Sequence, residues 1–346
     1  MRPRQVASAA IIGRDRSGTF QHRRLGTLLL VILIASAGGG ARAQTADLLC
    51  VAAMPSSAVV GGTGGALFYT ASISYHSFQP AAAPPLSVAL NGAAHNTEVN
   101  YFVVGAGGTI LYSSGPNGSA FVAQNSPTEE TLYGVTPFSG RMVAVGGGGV
   151  LLTSESLLGG SWVVQETPTE ETLYDAAVGP LTGIAVGANG TLLKGNTSGG
   201  GWEWVDSPVP GADLRGVAAI GSAGFIAVGL GGTVIRSWGS GEDWDVMSFP
   251  PEADLFDVAV DYDADPRVVA VGESGLIFFS DNLGESWAAA ESPVHETLRS
   301  VVFTGNLYFL AAGDHGSLAR SPDGSQWTDL TPVGKTTWGG LKGRFR

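Results

Sequence analysis

The amino-acid sequence predicts an all-β protein in which one four-stranded unit is repeated seven times. Three observations carry that expectation. A single motif recurs at near-constant spacing, every copy carries the same landmarks in the same order, and the composition suits short strands joined by tight turns. A fixed period of a few tens of residues marks a repeat architecture, in which each unit buries its apolar faces against its neighbours.

The motif is an apolar run ending in Val-Gly or Ala-Gly, then two or three residues, a second glycine and another apolar run. Its first glycines are Gly61, Gly105, Gly146, Gly187, Gly229, Gly272 and Gly313, at intervals of 44, 41, 41, 42, 43 and 41 residues. About 11 residues upstream lies a strand of the pattern Leu-x-x-Val, as in Leu132 to Val135, Leu173 to Ala176, Leu214 to Val217, Leu255 to Val258 and Leu298 to Val301. Downstream come a Gly/Ser/Asp-rich turn and an aromatic residue (Phe121, Trp162, Trp202, Trp244, Trp287, Trp327), and a proline then closes the unit. Four short strands in about 42 residues is the arithmetic of a propeller blade. The expected fold is therefore a seven-bladed β-propeller, four antiparallel strands per blade, with approximate blades at 48–84, 85–127, 128–168, 169–208, 209–250, 251–293 and 294–332. The common phase of the copies requires no blade shared between the two ends. Blade 1 has a long Ala/Pro-rich end, and blade 2 is expected to carry an insertion near 91–98.

The composition agrees. Of 346 residues, 52 are glycine and only 14% are charged, which opposes a helical fold because each interior glycine costs a helix about 1 kcal/mol. A hydrophobic content of 44% opposes disorder.

Residues 1–43 are expected to be a secretory signal. Arg23-Arg24 precede the apolar run 28–34, and Ala41-Arg42-Ala43 forms an A-x-A site before Gln44. A retained N-terminal anchor is the alternative. Export would leave 11 basic and 29 acidic residues, a formal charge of −18, which repels nucleic acid and anionic lipid headgroups. Cys50 is the single cysteine, so an internal disulfide is impossible, and it is read as a buried first-strand residue. The tail, 333–346, is glycine-rich and basic.

Between signal and tail the chain has seven basic residues, all on three repeat positions. Arg215 and Arg299 follow the first-strand leucine, a place shared by Tyr133, Tyr174 and Phe256. Arg141 and Arg267 lie five residues before the Val-Gly glycine. Lys194, Arg236 and Arg320 lie four after the second glycine, a place shared by Tyr69, Tyr112 and Phe279. Arginine and tyrosine dominate interface hot spots, so Arg215, Arg236, Arg299, Arg320, Lys194, Tyr112, Tyr133 and Tyr174 are candidates for contacting a protein partner. The alternative is a structural role, with inter-blade arginines pairing with acids such as Glu129, Glu130, Glu170 and Glu171. Strand starts and strand ends alternate sides, so the two classes are expected on opposite rims. His76, His95, His295 and His315 are scattered without metal-ligand spacing, and neither metal nor cofactor is expected.

Two turns, Ser280-Asp281-Asn282-Leu283-Gly284-Glu285-Ser286-Trp287 and Ser321-Pro322-Asp323-Gly324-Ser325-Gln326-Trp327, resemble the Asp-box, S-x-D-x-G-x-x-W, of sialidase-type propellers. The first reads as one residue too long and the second as one too short, with Asp281, Gly284, Trp287, Asp323, Gly324 and Trp327 as their characteristic residues. The whole unit resembles the photosystem II assembly/stability factor family. Leu214-Arg215-Gly216-Val217 and Leu298-Arg299-Ser300-Val301 match its first element, and Ile235-Arg236-Ser237 and Ala319-Arg320-Ser321 match its strand end. The resemblance covers roughly residues 48–332. It implies a non-catalytic protein that binds a membrane-protein partner during assembly, contacting the membrane only indirectly or through an uncleaved anchor. A monomer without cofactor, periplasmic or extracellular, is the expectation. The alternative is an exported glycan-binding or glycoside-hydrolysing propeller, which requires two carboxylates within about 10 Å on one concave rim.

Overall fold

The computed structural model describes residues 46–331, apart from 73, 76, 97–99, 114–115, 197–198, 222–223, 250–252, 262–265 and 306–307. The expected signal, the basic tail and His76 lie outside the described residues. Seven four-stranded antiparallel sheets follow one another along the chain, each with its strands in sequence order. The protein is a seven-bladed β-propeller. Its innermost strands are Leu48–Met54, Leu90–His95, Leu132–Phe138, Leu173–Val178, Leu214–Ala219, Leu255–Val260 and Leu298–Phe303.

The core is divided among the seams between blades. In strand two of blade 3, Arg141–Gly146, Met142 and Ala144 pack toward Phe102 and Val104 of blade 2. Val143 and Val145 pack toward Leu173, Leu193 and Trp202 of blade 4. Successive side chains on a strand point to opposite faces, and here both faces are buried. That is why the second strands read as unbroken apolar runs rather than as alternating ones. The outer-strand aromatics wedge the same seams: Trp162 lies 6.1 Å from Phe102, and Trp202 lies 6.2 Å from Phe138 of the preceding blade. In blade 1 this place belongs to Phe78, which is 2% exposed.

The two motif glycines answer two different contacts. A Cβ on the first would stand 2.1 Å from the Ala89 carbonyl oxygen at Gly105 and 2.2 Å from that of Thr172 at Gly187, where strand one begins. The second has a left-handed φ (69° at Gly149), and a Cβ there would stand 2.0 Å from the Thr169 carbonyl oxygen on the linker of the next blade. Glycine alone satisfies both the dihedral and the contact. In blade 1 the first glycine is Gly62 rather than Gly61, because Gly62 N–H bonds the Ala66 carbonyl as Gly105 N–H bonds that of Thr109. The spacing between the two glycines is then the same in every blade. Blade 2 carries no insertion over 91–95, which belongs to the innermost strand and pairs with strand two.

The ring closes with the bonds used inside it. Asp213 and Asp254 each accept an N–H from the glycine turn of the preceding blade (Asn189, 3.1 Å; Gly231, 2.9 Å), and Asp47 accepts that of His315 at 3.0 Å. Leu48, Val60 and Phe68 of blade 1 share a buried cluster with Leu310 and Leu318 of blade 7. Each blade is complete within its own stretch of chain.

Candidate functional site

The innermost strands surround a channel of about 700 Å³. At the end where these strands begin, the residue after each first-strand leucine stands at the mouth: Leu49, Asn91, Tyr133, Tyr174, Arg215, Phe256 and Arg299. The side chains lean on one another across the seams. Tyr133 and Tyr174 meet edge to face with ring centres 5.5 Å apart. The Arg215 guanidinium lies 3.9 Å over the Tyr174 ring, and that of Arg299 lies 4.8 Å over Phe256.

Both arginines are also held by acids. Arg215 pairs with Asp213 at 2.8 Å. Arg299 donates two bonds of 2.9 Å to Asp314, and this raises its pKa above the ordinary value. Their side chains remain 28% and 36% exposed, so they are oriented and still accessible. Guanidinium stacked on a ring and fixed by a carboxylate is a preorganised contact surface. Around it, the linkers and glycine turns of the same rim carry Glu129, Glu130, Glu170, Asp254, Glu273 and Glu296, so the rim as a whole is acidic.

Beneath the mouth the second residue after the leucine decides how each seam is bridged. Asp175 accepts N–H bonds from Ala176 (2.8 Å) and from Val217 of the next blade (3.0 Å). Asp257 does the same with Val258 and Val301, both at 2.8 Å. At the closing seam the Ser300 hydroxyl accepts the Val51 N–H at 3.3 Å. Gly216 occupies this place where a Cβ would meet the Asp257 backbone at 2.8 Å. Burial pushes the Asp175 carboxyl up to about 8, reinforced by the charge of Asp257, and burial pushes Asp257 up to about 6. Cys50 also lines this level, and burial raises its thiol to about 12, which leaves it protonated and unreactive.

The remaining candidates lie on the opposite rim and staple blades together. Lys194 pairs with Glu242 at 2.5 Å, Arg236 donates to the Leu283 carbonyl at 3.2 Å, and Arg320 donates to the Ser74 carbonyl at 2.6 Å. Arg267 bonds both the carbonyl and the carboxylate of Asp323. Each partner belongs to the strand three-to-four turn of the following blade. Tyr112 is not at the mouth and packs on Phe102 at 5.1 Å. The inter-blade ion pairs therefore form, but not to Glu129, Glu130, Glu170 or Glu171, which occupy the other rim.

The two Asp-box-like turns brace themselves. Asp323 Oδ1 accepts the N–H groups of Ser325 and Gln326, Ser321 Oγ accepts that of Gly324, and Trp327 donates its indole N–H to the Gly324 carbonyl. In the other turn Asn282, not Asp281, fills the acid's place, accepting from Ser286 N–H at 2.9 Å while Ser280 Oγ accepts from Gly284 N–H. Aligned on Asn282, this turn has no extra residue.

No protein-family model matches the sequence, and no curated protein matches it. Among solved structures the chain is similar to YCF48 bound to D1 peptide, with 14% identity and a TM-score of 0.64 over 80% of this chain and 91% of that one. It is similar to YCF48 from Cyanidioschyzon merolae, with 17% identity and a TM-score of 0.62 over 79% and 94%. A catalytically inactive virginiamycin B lyase from Staphylococcus aureus with quinupristin matches at 12% identity and a TM-score of 0.64 over 80% and 95%. At these identities the likeness shows the fold, a β-propeller.

Proposed function

We propose that this chain is an exported, non-catalytic propeller that acts as a protein-binding scaffold or assembly factor for an envelope or membrane protein complex. The observation that carries this reading is the mouth itself. Tyr133, Tyr174, Arg215, Phe256 and Arg299 form an oriented, half-exposed arc of aromatic and guanidinium groups, the chemistry that dominates protein interfaces. A partner's segment would lie across this arc. The similar propeller solved with a bound peptide supports such a role. Export rests on the order of basic, apolar and small residues at 1–43. The test is photo-crosslinking in the native envelope from benzoylphenylalanine placed at Tyr133 or Phe256. A discrete protein adduct from these positions, absent from the same probe at exposed Val163 on the outer edge, is the expected result.

A second reading, glycoside hydrolysis, has one observation in its favour: the channel holds two carboxyls, Asp175 and Asp257, both pushed up by burial. Both oxygens of each are engaged by backbone N–H groups, which is bracing geometry. Turnover of aryl glycosides that is lost in Asp175→Asn would revive that reading.

A further inference from the structure

We propose that the mouth is also the seat of the chain's own basic tail, residues 335–346, which docks across it and competes with the partner's segment. The tail lies outside the described residues. This rests on the reading of the mouth as a protein-contact surface and adds a regulation of that site.

The tail starts at the mouth rim. Thr331 is the last described residue of blade 7, and its hydroxyl accepts the N–H of Leu318 at 3.0 Å. Leu318 opens strand three just after the glycine turn Asp314–Gly316, whose Asp314 holds Arg299 at the mouth. Inside the ring, the linker from this place runs inward to the head of the next innermost strand, as from Val164 to Leu173. Strand three lies two strands out from the channel, about 10 Å at the usual spacing. Residues 332–346 reach about 50 Å when extended, so the tail can cross the mouth.

The tail also complements what it would meet there. It carries Lys335, Lys342, Arg344 and Arg346 and no acid. The mouth rim carries Glu129, Glu130, Glu170 and Glu273, and none of these pairs with a cation among the described residues. Arg215 and Arg299 are offset by Asp213 and Asp314, so they do not cancel this attraction. On the opposite rim Glu242 and Asp323 already hold Lys194 and Arg267. Among its charges the tail sets Trp338, Leu341 and Phe345, which suit the rings of Tyr133, Tyr174 and Phe256. A tethered segment acts at an effective concentration of about a millimolar, so weak contacts hold it and only a tighter ligand displaces it.

The experiment is carbodiimide coupling of the full chain, which joins a lysine amine to a touching carboxylate, read by peptide mapping of the monomeric product. The chain has only three lysines, Lys194, Lys335 and Lys342, and the Lys194–Glu242 pair on the opposite rim is the internal standard. The expected result is an amide from Lys335 or Lys342 to Glu129, Glu130, Glu170 or Glu273. Trp338→Ala with Phe345→Ala, both outside the ring, should lower its yield at least threefold relative to the standard. The same double variant should raise the envelope adduct at Tyr133 at least threefold. The proposal is overturned if the standard forms while the tail lysines couple to no acid of the mouth rim. Coupling only between isotopically labelled and unlabelled copies, or a yield unchanged in the double variant, overturns it as well. Rim amides without any envelope adduct refute the scaffold reading and spare this inference, and an envelope adduct without rim amides does the reverse.

Discussion

The two rims of the ring hold nearly the same residue types and use them differently. On the rim where the innermost strands begin, Arg215 and Arg299 stack on Tyr174 and Phe256, are held by Asp213 and Asp314, and keep part of their surface open. On the opposite rim Arg236 and Arg320 also stack on a ring, Trp238 at 4.5 Å and Tyr308 at 4.8 Å, but they and Arg267 reach the turn of the following blade and end on a carbonyl oxygen. The difference lies in what each strand end faces. Strand one lines the channel, so its first side chain has only its seam neighbours and the open mouth. Strand three lies between blades, so its basic residue meets the next sheet. Position in the blade, rather than residue type, separates an arginine that faces the open mouth from one that staples blades.

That contrast can be broken at either rim. The largest effect is expected on partner binding when Tyr133, Tyr174 and Phe256 are replaced together by alanine. Aromatic anchors at interface centres cost about 2 kcal/mol or more each, so binding of the crosslinked partner should fall by at least about a hundredfold. Binding within threefold of wild type would remove the mouth from the interface. Next in size is Arg320→Ala, which removes a bond across the closing seam to the Ser74 carbonyl. A hydrogen bond to a charged group contributes about 1.5–3 kcal/mol, so the thermal midpoint should fall by several degrees with partner binding unchanged.

The channel acids add a pH signature. Asp175 and Asp257 have folded-state pKa values raised by burial to about 8 and about 6, so the unfolded chain binds fewer protons than the folded one over that range. Their contribution is full below the ordinary carboxylate range near 4 and is lost as pH climbs toward 8. The unfolding midpoint should therefore fall between pH 5 and pH 9, and Asp175→Ser with Asp257→Ser should flatten that slope. A midpoint that rises over the range would contradict the placement of the two acids. The smallest effect belongs to Lys194→Ala. Its exposed pair with Glu242 should leave the midpoint unchanged within error, as exposed ion pairs do.

The fold was readable because each blade faces the same physical problem at both seams. The second motif glycine must tolerate a left-handed φ and a linker carbonyl close by, so it recurs in every copy, and the aromatic recurs because each seam needs a wedge. The arc at the mouth was also readable, as a column of Tyr, Arg and Phe after the leucine. The ion-pair partners were not, because sequence proximity gives no sign that Glu129 and Glu170 lie on the far rim from Lys194 and Arg320. The acid pair escaped notice although its signal was present. Read down the repeats, the second position after the leucine is Cys50, Gly92, Gly134, Asp175, Gly216, Asp257 and Ser300, two acids in an otherwise small and neutral column. Asn282 was missed because the pattern was aligned on Asp281 rather than on the side chain that could close the turn.

The central claim is that the strand-one mouth is where this propeller meets another protein. Photo-crosslinking in the native envelope tests it most directly, with benzoylphenylalanine at Tyr133 and Phe256 on the mouth, at Arg141 on the opposite rim and at Val163 on the outer edge. The account predicts one discrete protein adduct shared by Tyr133 and Phe256 and absent from Arg141 and Val163. An adduct formed from Arg141 or Val163 while the mouth positions yield none would contradict it.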